Sequence, residues 1–190
     1  DQINANHHPA LQLLALDALL CNDAHLGFND QEQQWQIIGD PTEGALIVLA
    51  GKLNFDQTQL NQYFPRLGEF PFSSERKRMS VIVEIPDQID HLLPALSKFF
   101  RRGGFPQTPY LLLSKGSPEL LLEQCQAVQN DEDCQPLDSD QRQRILDENN
   151  AMAGRGLRVL GLAYRPLREI PPADRQSESE QDLIWLGLVG

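Results

Sequence analysis

Lys115 and Gly116 are the residues whose types and position in this sequence most directly suggest binding chemistry. They stand between an apolar run at residues 110–114 and a helix start at Ser117 and Pro118. The N-terminus of a helix exposes free N–H groups and the positive end of its dipole, which favour an anion, and glycine lets a ligand approach the backbone closely. A simple strand-to-helix turn, with Ser117 as the helix cap, explains the same residues equally well. The pattern therefore predicts either an anion site or a plain turn.

Glu43 and Arg158 also have more than one interpretation. Asp40 can cap a helix whose first turn contains Pro41, and Glu43 lies three residues after the cap, as in a capping box. That role accounts for Glu43 without any ligand. Arg158 follows a glycine-flanked helix end and opens a strand. From there it could reach a phosphate or pair with a surface acid.

Several patterns of catalytic and metal chemistry are missing from the sequence. The Gly51–Lys52 pair lacks Walker-type spacing, and no G-x-G-x-x-G motif occurs. The paired acids within residues 131–140 lie in polar surroundings, whereas a phosphorylated aspartate needs the end of a buried strand. Cys21 and His25 are one helical turn apart, but no second pair with zinc spacing follows, which favours a packed cysteine and a surface histidine. We assign no catalytic residue and no metal ligand.

Composition indicates one ordinary globular domain. The 190 residues are 41% hydrophobic and carry a net charge of −11, which argues against a nucleic-acid partner. Arg76, Lys77 and Arg78 nevertheless form a basic spot that could attract a small anion. Three scattered cysteines suit a reducing compartment. No apolar run approaches the roughly 20 residues of a membrane span, and residues 1–9 lack the basic leader of a signal peptide. We therefore expect a cytosolic domain that lies outside the membrane.

Hydrophobic periodicity and turn residues predict interspersed helices and strands. A helix with one apolar face is expected at residues 9–22, a second from 41 to about 50, a third from 118 and a polar one at 138–153. Strands are expected at 35–38, 67–72, 78–85, 110–114, 158–164 and 183–189, and loops at 101–109 and 130–136. Because several strands are close enough for hairpins, we expect an α/β fold of the α+β type, a largely antiparallel or mixed sheet flanked by helices.

Four segments, in this order, resemble the nucleotide-binding domain of type II P-type ATPases, which include calcium, sodium/potassium and proton pumps. They are GDPTEGAL at 39–46, FSSERKRMSV at 72–81, KGSPE at 115–119 and GLRVL at 156–160. LCND at 20–23 and LIWLG at 183–187 fit the same family, so the resemblance covers nearly the whole chain. It implies a single nucleotide-binding domain over residues 1–190, with residues 183–190 as the strand that returns to a phosphorylation domain.

The resemblance also implies a binding site for ATP. Phe72 would stack on adenine, although without the family it would be interpreted as a core phenylalanine like Phe70. Glu43 would contact the adenine amino group, and Lys77 would lie near the phosphates or the base, with a solvated strand-edge lysine as its alternative. The full set is Glu43, Phe72, Lys77, Met79, Lys115, Gly116, Arg158 and Leu160. Ser74 stands where calcium pumps of animal membranes often carry an arginine, so Arg76 and Arg78 would have to compensate for that phosphate contact.

The partners that the resemblance implies are ATP and ADP, with Mg²⁺ accompanying ATP in the full pump and Asp40 as a candidate for an indirect contact with it. The phosphorylation and actuator domains of the same parent chain would be the protein partners, and the domain itself is expected to be a monomer. It would be the cytoplasmic domain of an integral membrane protein that transports a cation, with calcium as the leading candidate. The Asp-Lys-Thr-Gly-Thr motif that accepts the phosphoryl group does not occur in this sequence, so turnover by these residues alone is not expected.

Two other functions fit parts of the sequence. An acidic, non-catalytic module could bind a basic protein partner, in which case ATP would leave its amide spectrum unchanged. A free-standing phosphotransferase would hydrolyse ATP, but the absence of a nucleophile disfavours that hypothesis.

Overall fold

The computed structural model describes residues 8–94, 96–97, 108–131, 133–172 and 176–190. The loop expected at 101–109 therefore lies almost entirely outside the described residues. The helices are α1 (Pro9–Leu20), α2 (Pro41–Lys52), α3 (Gln57–Tyr63), α4 (Ile89–Leu92), α5 (Pro118–Glu123), α6 (Ser139–Gly154) and α7 (Gln176–Ser179). The strands are β1 (His25–Asn29), β2 (Gln34–Ile38), β3 (Arg66–Ser73), β4 (Arg78–Glu84), β5 (Tyr110–Gly116), β6 (Cys125–Gln129), β7 (Cys134–Pro136), β8 (Leu160–Leu167) and β9 (Leu183–Val189).

A seven-stranded sheet with the order β3-β4-β5-β8-β9-β6-β7 forms the centre of the described structure, and β1 and β2 form a separate antiparallel hairpin. Neighbouring strands of the large sheet run antiparallel, except for β6 and β9, which run parallel. The fold is therefore α/β with a mixed, largely antiparallel sheet flanked by helices, as the sequence predicts. No helix among the described residues is both long and apolar enough to cross a membrane.

Both faces of the sheet are covered. Val81 and Leu113 belong to an apolar cluster shared with α1, whereas their neighbours Ile82 and Leu112 belong to a second cluster shared with α5 and α6. Successive side chains of a strand point to opposite faces, so the continuous apolar runs of β4 and β5 fit strands that are buried on both sides. These two strands form the base on which the site described below is built.

Helix α1 differs from its prediction. It ends at Leu20 rather than at residue 22, and residues 12–20 are all buried, Asp17 included. The single apolar face expected for this helix is wrong, because α1 packs on the sheet on one side and on α2 and α3 on the other. A helix enclosed in this way is buried around its whole circumference.

Aspartate side chains cap the starts of α2 and α6, and the cap at Asp40 is the one that the sequence predicts. The Asp40 side chain accepts hydrogen bonds from the N–H groups of Thr42 and Glu43 at the start of α2. Asp138 and Gln141 form a complete capping box at the start of α6. The chain leaves α6 through Gly156, which has a φ of 83°, a left-handed conformation that glycine adopts without strain.

Three other local predictions need correction. The expected acidic loop at 130–136 contains strand β7, because β6 and β7 pair as a hairpin and Asn130 N–H donates to Asp133 O at 2.9 Å. Strand β8 begins at Leu160, so Arg158 precedes the strand instead of opening it. Strands β1 and β6 and the helices α3, α4 and α7 were not expected. By contrast, β9 spans the predicted residues 183–189.

Candidate functional site

A cleft of about 640 Å³ lies where β4, β5 and β8 meet the starts of α2 and α5. All eight residues that the sequence assigns to a binding site line it. They are Glu43, Phe72, Lys77, Met79, Lys115, Gly116, Arg158 and Leu160. They come from four separate segments of the chain, which the fold brings together. Their roles in binding a ligand remain predictions.

Neighbouring strands supply the floor of the cleft. Met79 of β4 is the register partner of Lys115 of β5, and Lys115 is in turn the partner of Leu162 of β8. Met79 is buried, and only 7% of the Lys115 side chain is exposed. A lysine this deep on a paired strand needs an anionic partner, because an unpaired buried charge is costly.

Glu43 is that partner. Lys115 Nζ donates to Glu43 Oε1 at 2.5 Å, while Glu43 Oε2 accepts from the N–H groups of Asp23 and Ala24, both at 3.1 Å. The carboxylate therefore holds the turn after α1 rather than the N–H of Asp40. The capping-box role predicted for Glu43 is wrong, although Asp40 caps α2 as expected.

Phe72 is 61% exposed, whereas Phe70 is 4% exposed and lies in the apolar cluster beneath α5. In a regular strand these two residues would share a face. The pairing of β3 with β4 is irregular between Phe70 and Ser73, and an irregularity of this kind redirects a side chain. The interpretation of Phe72 as a core residue is therefore wrong, and its ring is available at the wall of the cleft.

The turn between β3 and β4 presents Lys77. Lys77 is exposed, has a φ of 52° and donates its N–H to Ser73 O at 2.8 Å. Its carbonyl accepts from Ser117 N–H at 2.9 Å. The turn is thereby joined to the start of α5, and the Ser117 N–H is used within the protein rather than left for an anion.

Gly116 permits this contact. A Cβ atom at Gly116 would lie 2.5 Å from Lys77 O and 2.6 Å from Arg78 Cβ, distances that real Cβ atoms do not adopt. The close approach of the turn therefore requires a glycine here, which was not foreseen from the sequence, and the expected approach of a ligand to this backbone stays a prediction. Ser117 also differs from its prediction, because its hydroxyl donates to Glu119 Oε2 at 2.8 Å and makes no cap bond.

Arg158 is exposed at the cleft, just before β8. Within the described part of the chain it forms no hydrogen bond or ion pair, so the predicted alternative of a surface acid partner is not found. Its charge contributes to lowering the pKa of Asp40, although hydrogen bonds from Thr42 are the larger cause. Arg158 is therefore a cation whose head group can still meet an anion.

Arg76 and Arg78, which the sequence suggested as substitutes for a phosphate contact, do not line the cleft. Arg76 Nη1 and Arg78 Nε lie 2.5 Å and 3.1 Å from Glu180 Oε2. Their charges are therefore committed to an internal carboxylate.

Sequence reasoning missed the cleft residues of α5 and α6. Asn149 is buried and donates through Nδ2 to Glu119 Oε1 at 2.7 Å. The pKa of Glu119 is lowered by hydrogen bonds to its carboxylate from the Glu119 backbone N–H, the Ser117 side chain and the Asn149 side chain. Because α6 is polar on most of its surface, nothing in its pattern distinguishes Asn149 from its solvated neighbours.

Aromatic and charged side chains line the cleft. It combines an exposed aromatic ring, three cations (Lys77, Lys115 and Arg158) and three acids (Asp40, Glu43 and Glu119). The described residues contain no group of three His, Cys, Asp or Glu side chains able to hold a metal ion. Cys21 is buried with its Sγ 3.5 Å from Met79 O, and burial and the nearby Asp17 raise its pKa. His25 is exposed.

The fold and the cleft thus define an α/β domain whose sheet carries an aromatic, cation-lined pocket at one end. Residues 10–190 match the family model described as P-type ATPase, cytoplasmic domain N. The chain therefore belongs to the family of P-type ATPase N domains.

Curated relatives agree with this family. The chain is 33% identical over 182 residues to Calcium-transporting ATPase 1 of Lactococcus lactis, covering 93% of this chain and 17% of the relative. It is 34% identical over 182 residues to Cation-transporting ATPase pma1 of Synechocystis sp., covering 96% of this chain and 17% of the relative. A calcium-transporting ATPase of Bacillus subtilis is 29% identical over 191 residues, covering 100% of this chain and 19% of the relative. The chain spans less than a fifth of the length of these proteins.

Proposed function

We propose that the cleft binds ATP, with adenine against Phe72 and the phosphates near the cations. The observation that carries the proposal is the meeting of one exposed aromatic ring with Lys77, Lys115 and Arg158 in a single cleft. A base stacked on an aromatic side chain gains about 1–3 kcal/mol. The cations offset the charge of the phosphates, so a nucleotide satisfies both parts of the cleft.

The base is the part of the ligand that the protein holds most firmly. Lys115 lies on the floor and is already paired with Glu43, whereas Lys77 and Arg158 are exposed cations, each of which contributes little alone. Ordering a flexible triphosphate also costs entropy. We therefore expect weak binding, with a Kd on the order of tens of μM to mM, and a triphosphate tail that remains partly free.

A partly free tail suits delivery to another domain. In the parent protein the γ-phosphate would reach an aspartate in the phosphorylation domain, and a weak grip would allow ADP to leave. The resemblance to type II pumps, with Mg²⁺ accompanying ATP, and relatives named calcium- or cation-transporting ATPases support a role in ATP-driven cation transport, with calcium as the leading candidate.

Titration of the ¹⁵N-labelled domain with ATP tests the proposal. Amide shifts should move at residues of the cleft, with a Kd in the range given above, and the purified domain should not hydrolyse the nucleotide. An amide spectrum that ATP leaves unchanged would contradict ATP binding and favour the acidic protein-interaction module. Hydrolysis by the domain alone would instead favour a phosphotransferase. A sub-micromolar Kd would contradict the low affinity that we expect.

A further inference from the structure

Glu180 is a buried acid on the face of the sheet opposite the cleft floor. Only 1% of its surface is exposed. It follows α7, in the connection that leads into β9. A buried carboxylate without partners would be costly, so the groups around Glu180 indicate what it does.

Both carboxylate oxygens of Glu180 are bonded to the β3–β4 hairpin. Oε2 lies 2.5 Å from Arg76 Nη1 and 3.1 Å from Arg78 Nε, and Oε1 accepts from Ser80 Oγ at 2.6 Å. Ser80 Oγ in turn lies 2.8 Å from Ser114 Oγ of β5. The Glu180 carboxylate thus joins the turn to the beginning of β4, and Ser80 extends the connection to the adjacent strand β5.

This cluster lies directly behind the cleft. Ser80 and Ser114 immediately neighbour Met79 and Lys115 in sequence, and successive side chains point to opposite faces of a sheet. Met79 and Lys115 therefore form the floor of the cleft on one face, while on the other face Ser80 contacts Glu180 and Ser114 contacts Ser80.

Arg76 extends the connection to the aromatic wall. It lies in the turn between Phe72 and Lys77, and its Nη2 donates to Pro71 O at 2.5 Å. Its backbone N–H also donates to Ser73 Oγ at 3.1 Å. The arginine therefore spans the chain on both sides of Phe72 while its charge is held by Glu180.

We propose that Glu180 is a positioning residue for the nucleotide cleft, which fixes the β3–β4 turn from behind so that Phe72 and Lys77 face the ligand. The inference rests on the proposed function, because it concerns the same cleft. A preorganised platform binds more tightly than one that must be ordered by the ligand. Glu180 touches no ligand, and its effect passes through Arg76 and Arg78.

Glu180→Gln tests the proposal, since glutamine keeps the shape and can still accept from Ser80 but cannot pair with the arginines. Charge alone predicts tighter ATP binding, because the variant loses one negative charge. Positioning predicts the opposite, a Kd for ATP about tenfold weaker. Adenosine, which is uncharged, should lose affinity by a similar factor. Glu178→Gln is the matched control, because it removes the same charge from an exposed residue two positions earlier and should leave both Kd values unchanged.

Arg76→Gln provides a second variant should Glu180→Gln fail to fold, because it leaves the contact of Glu180 with Arg78 intact. It should weaken adenosine binding in the same direction, by about threefold. The losses of the two single variants should not add in the double variant, since both act through one contact. In the ligand-free protein, exchange of the backbone amides at positions 76 and 77 should accelerate in both variants.

The outcomes separate this inference from the proposed function. Suppose that the wild-type protein binds ATP and that Glu180→Gln binds both ATP and adenosine with the wild-type Kd values. The positioning role is then overturned, while the proposed nucleotide binding is retained. A lower melting temperature with unchanged affinities has the same meaning, because Glu180 would then be structural only. If the wild-type protein binds neither ligand, the proposed function fails and the positioning role fails with it.

Discussion

Lys115 and Glu43 form a 2.5 Å ion pair that joins the floor of the cleft to the first turn of α2. The other oxygen of Glu43 holds the N–H groups of Asp23 and Ala24. One carboxylate therefore connects three parts of the fold, namely β5, α2 and the turn after α1. This arrangement makes Glu43 a structural residue even before a ligand is considered.

Glu43→Gln should lower the free energy of unfolding by about 2 kcal/mol, because it leaves the Lys115 ammonium with little solvent and without the carboxylate that lies within ion-pair distance of it. The cost stays below that of a fully enclosed pair because Glu43 retains some exposure. Urea unfolding measures it. Glu148→Gln, which removes one member of the exposed 3.6 Å pair with Arg155, should cost at most about 0.5 kcal/mol. Equal losses in the two variants would contradict a special role for the cleft pair.

Phe72→Ala and Phe70→Ala should have opposite effects. Phe72 is largely exposed, so its truncation should change stability by less than about 1 kcal/mol while weakening ATP binding by roughly 10- to 100-fold through lost stacking. Phe70 is buried in the core, and its truncation should cost about 3–5 kcal/mol of stability. Urea unfolding and calorimetric titration with ATP measure the two effects. A Phe72→Ala variant that is destabilised but binds ATP normally would return Phe72 to a structural role.

Arg158→Gln should weaken ATP binding by about three- to tenfold, because an unpaired cation at the cleft is available to a phosphate. Adenosine should bind equally well to the variant and the wild type, since it carries no phosphate. The difference for ATP should shrink as salt is added. Arg155→Gln removes the same charge three residues earlier from an exposed arginine outside the cleft, and it should change the ATP affinity much less. Calorimetric titration with ATP at two salt concentrations measures these affinities. Equal effects of the two substitutions would indicate that Arg158 acts only through the general electrostatic field of the protein and not through a contact with a phosphate.

Asp17 should make stability fall as pH rises. Burial raises its pKa well above 3.8, and the charge of Lys115 and nearby backbone amides offset the shift only in part. Between 3.8 and the raised pKa, the folded state binds more protons at this residue than the unfolded state does. The contribution of Asp17 to the free energy of unfolding therefore decreases with pH across that window.

Asp17→Asn removes this contribution and isolates it. The stability difference, variant minus wild type, should become more positive as the pH of a urea unfolding series is raised from about 4 upward. Asp30→Asn, at an exposed turn residue, should show no such trend. A flat difference for Asp17→Asn would mean that the folded protein accommodates the ionised carboxylate.

Much of the fold could be predicted because local sequence signals favour the same helices and strands that the tertiary structure contains. The caps at Asp40 and Asp138 and the apolar run of β9 each specify their element without information from elsewhere in the chain. Helix α1 shows the limit of this reasoning. Its sequence fits one apolar face, but burial on all sides depends on α2 and α3, which contact it through the fold rather than through any local pattern.

Local patterns pointed to Lys115, Gly116 and Arg158 as possible anion contacts, but only the family resemblance placed all eight residues in one site. The contacts that hold these residues in place could not be predicted. Glu43 has the spacing of a capping box, yet its carboxylate bonds to Asp23, Ala24 and Lys115, which are distant in sequence or outside the helix. Phe72 shares its strand parity with Phe70, and only the irregular pairing with β4 separates their environments. Long-range pairing decides both cases, and a single sequence does not display it.

Gly116→Ala should lower the free energy of unfolding by about 1–3 kcal/mol, because the new methyl group would meet Lys77 O at 2.5 Å and the strands would have to separate. The same movement should displace Lys77 and loosen the bond from Ser117 N–H to Lys77 O, so ATP affinity should fall together with stability. Gly154→Ala is the control, since nothing lies within 4 Å of its added Cβ. In the last turn of α6 alanine should stabilise by up to about 1 kcal/mol. Urea unfolding of both variants, with ATP titration of each, tests the argument. A Gly116→Ala variant as stable as the wild type would show that the turn can move away at no cost, and the contact between Gly116 and Lys77 would then not hold the cleft in shape.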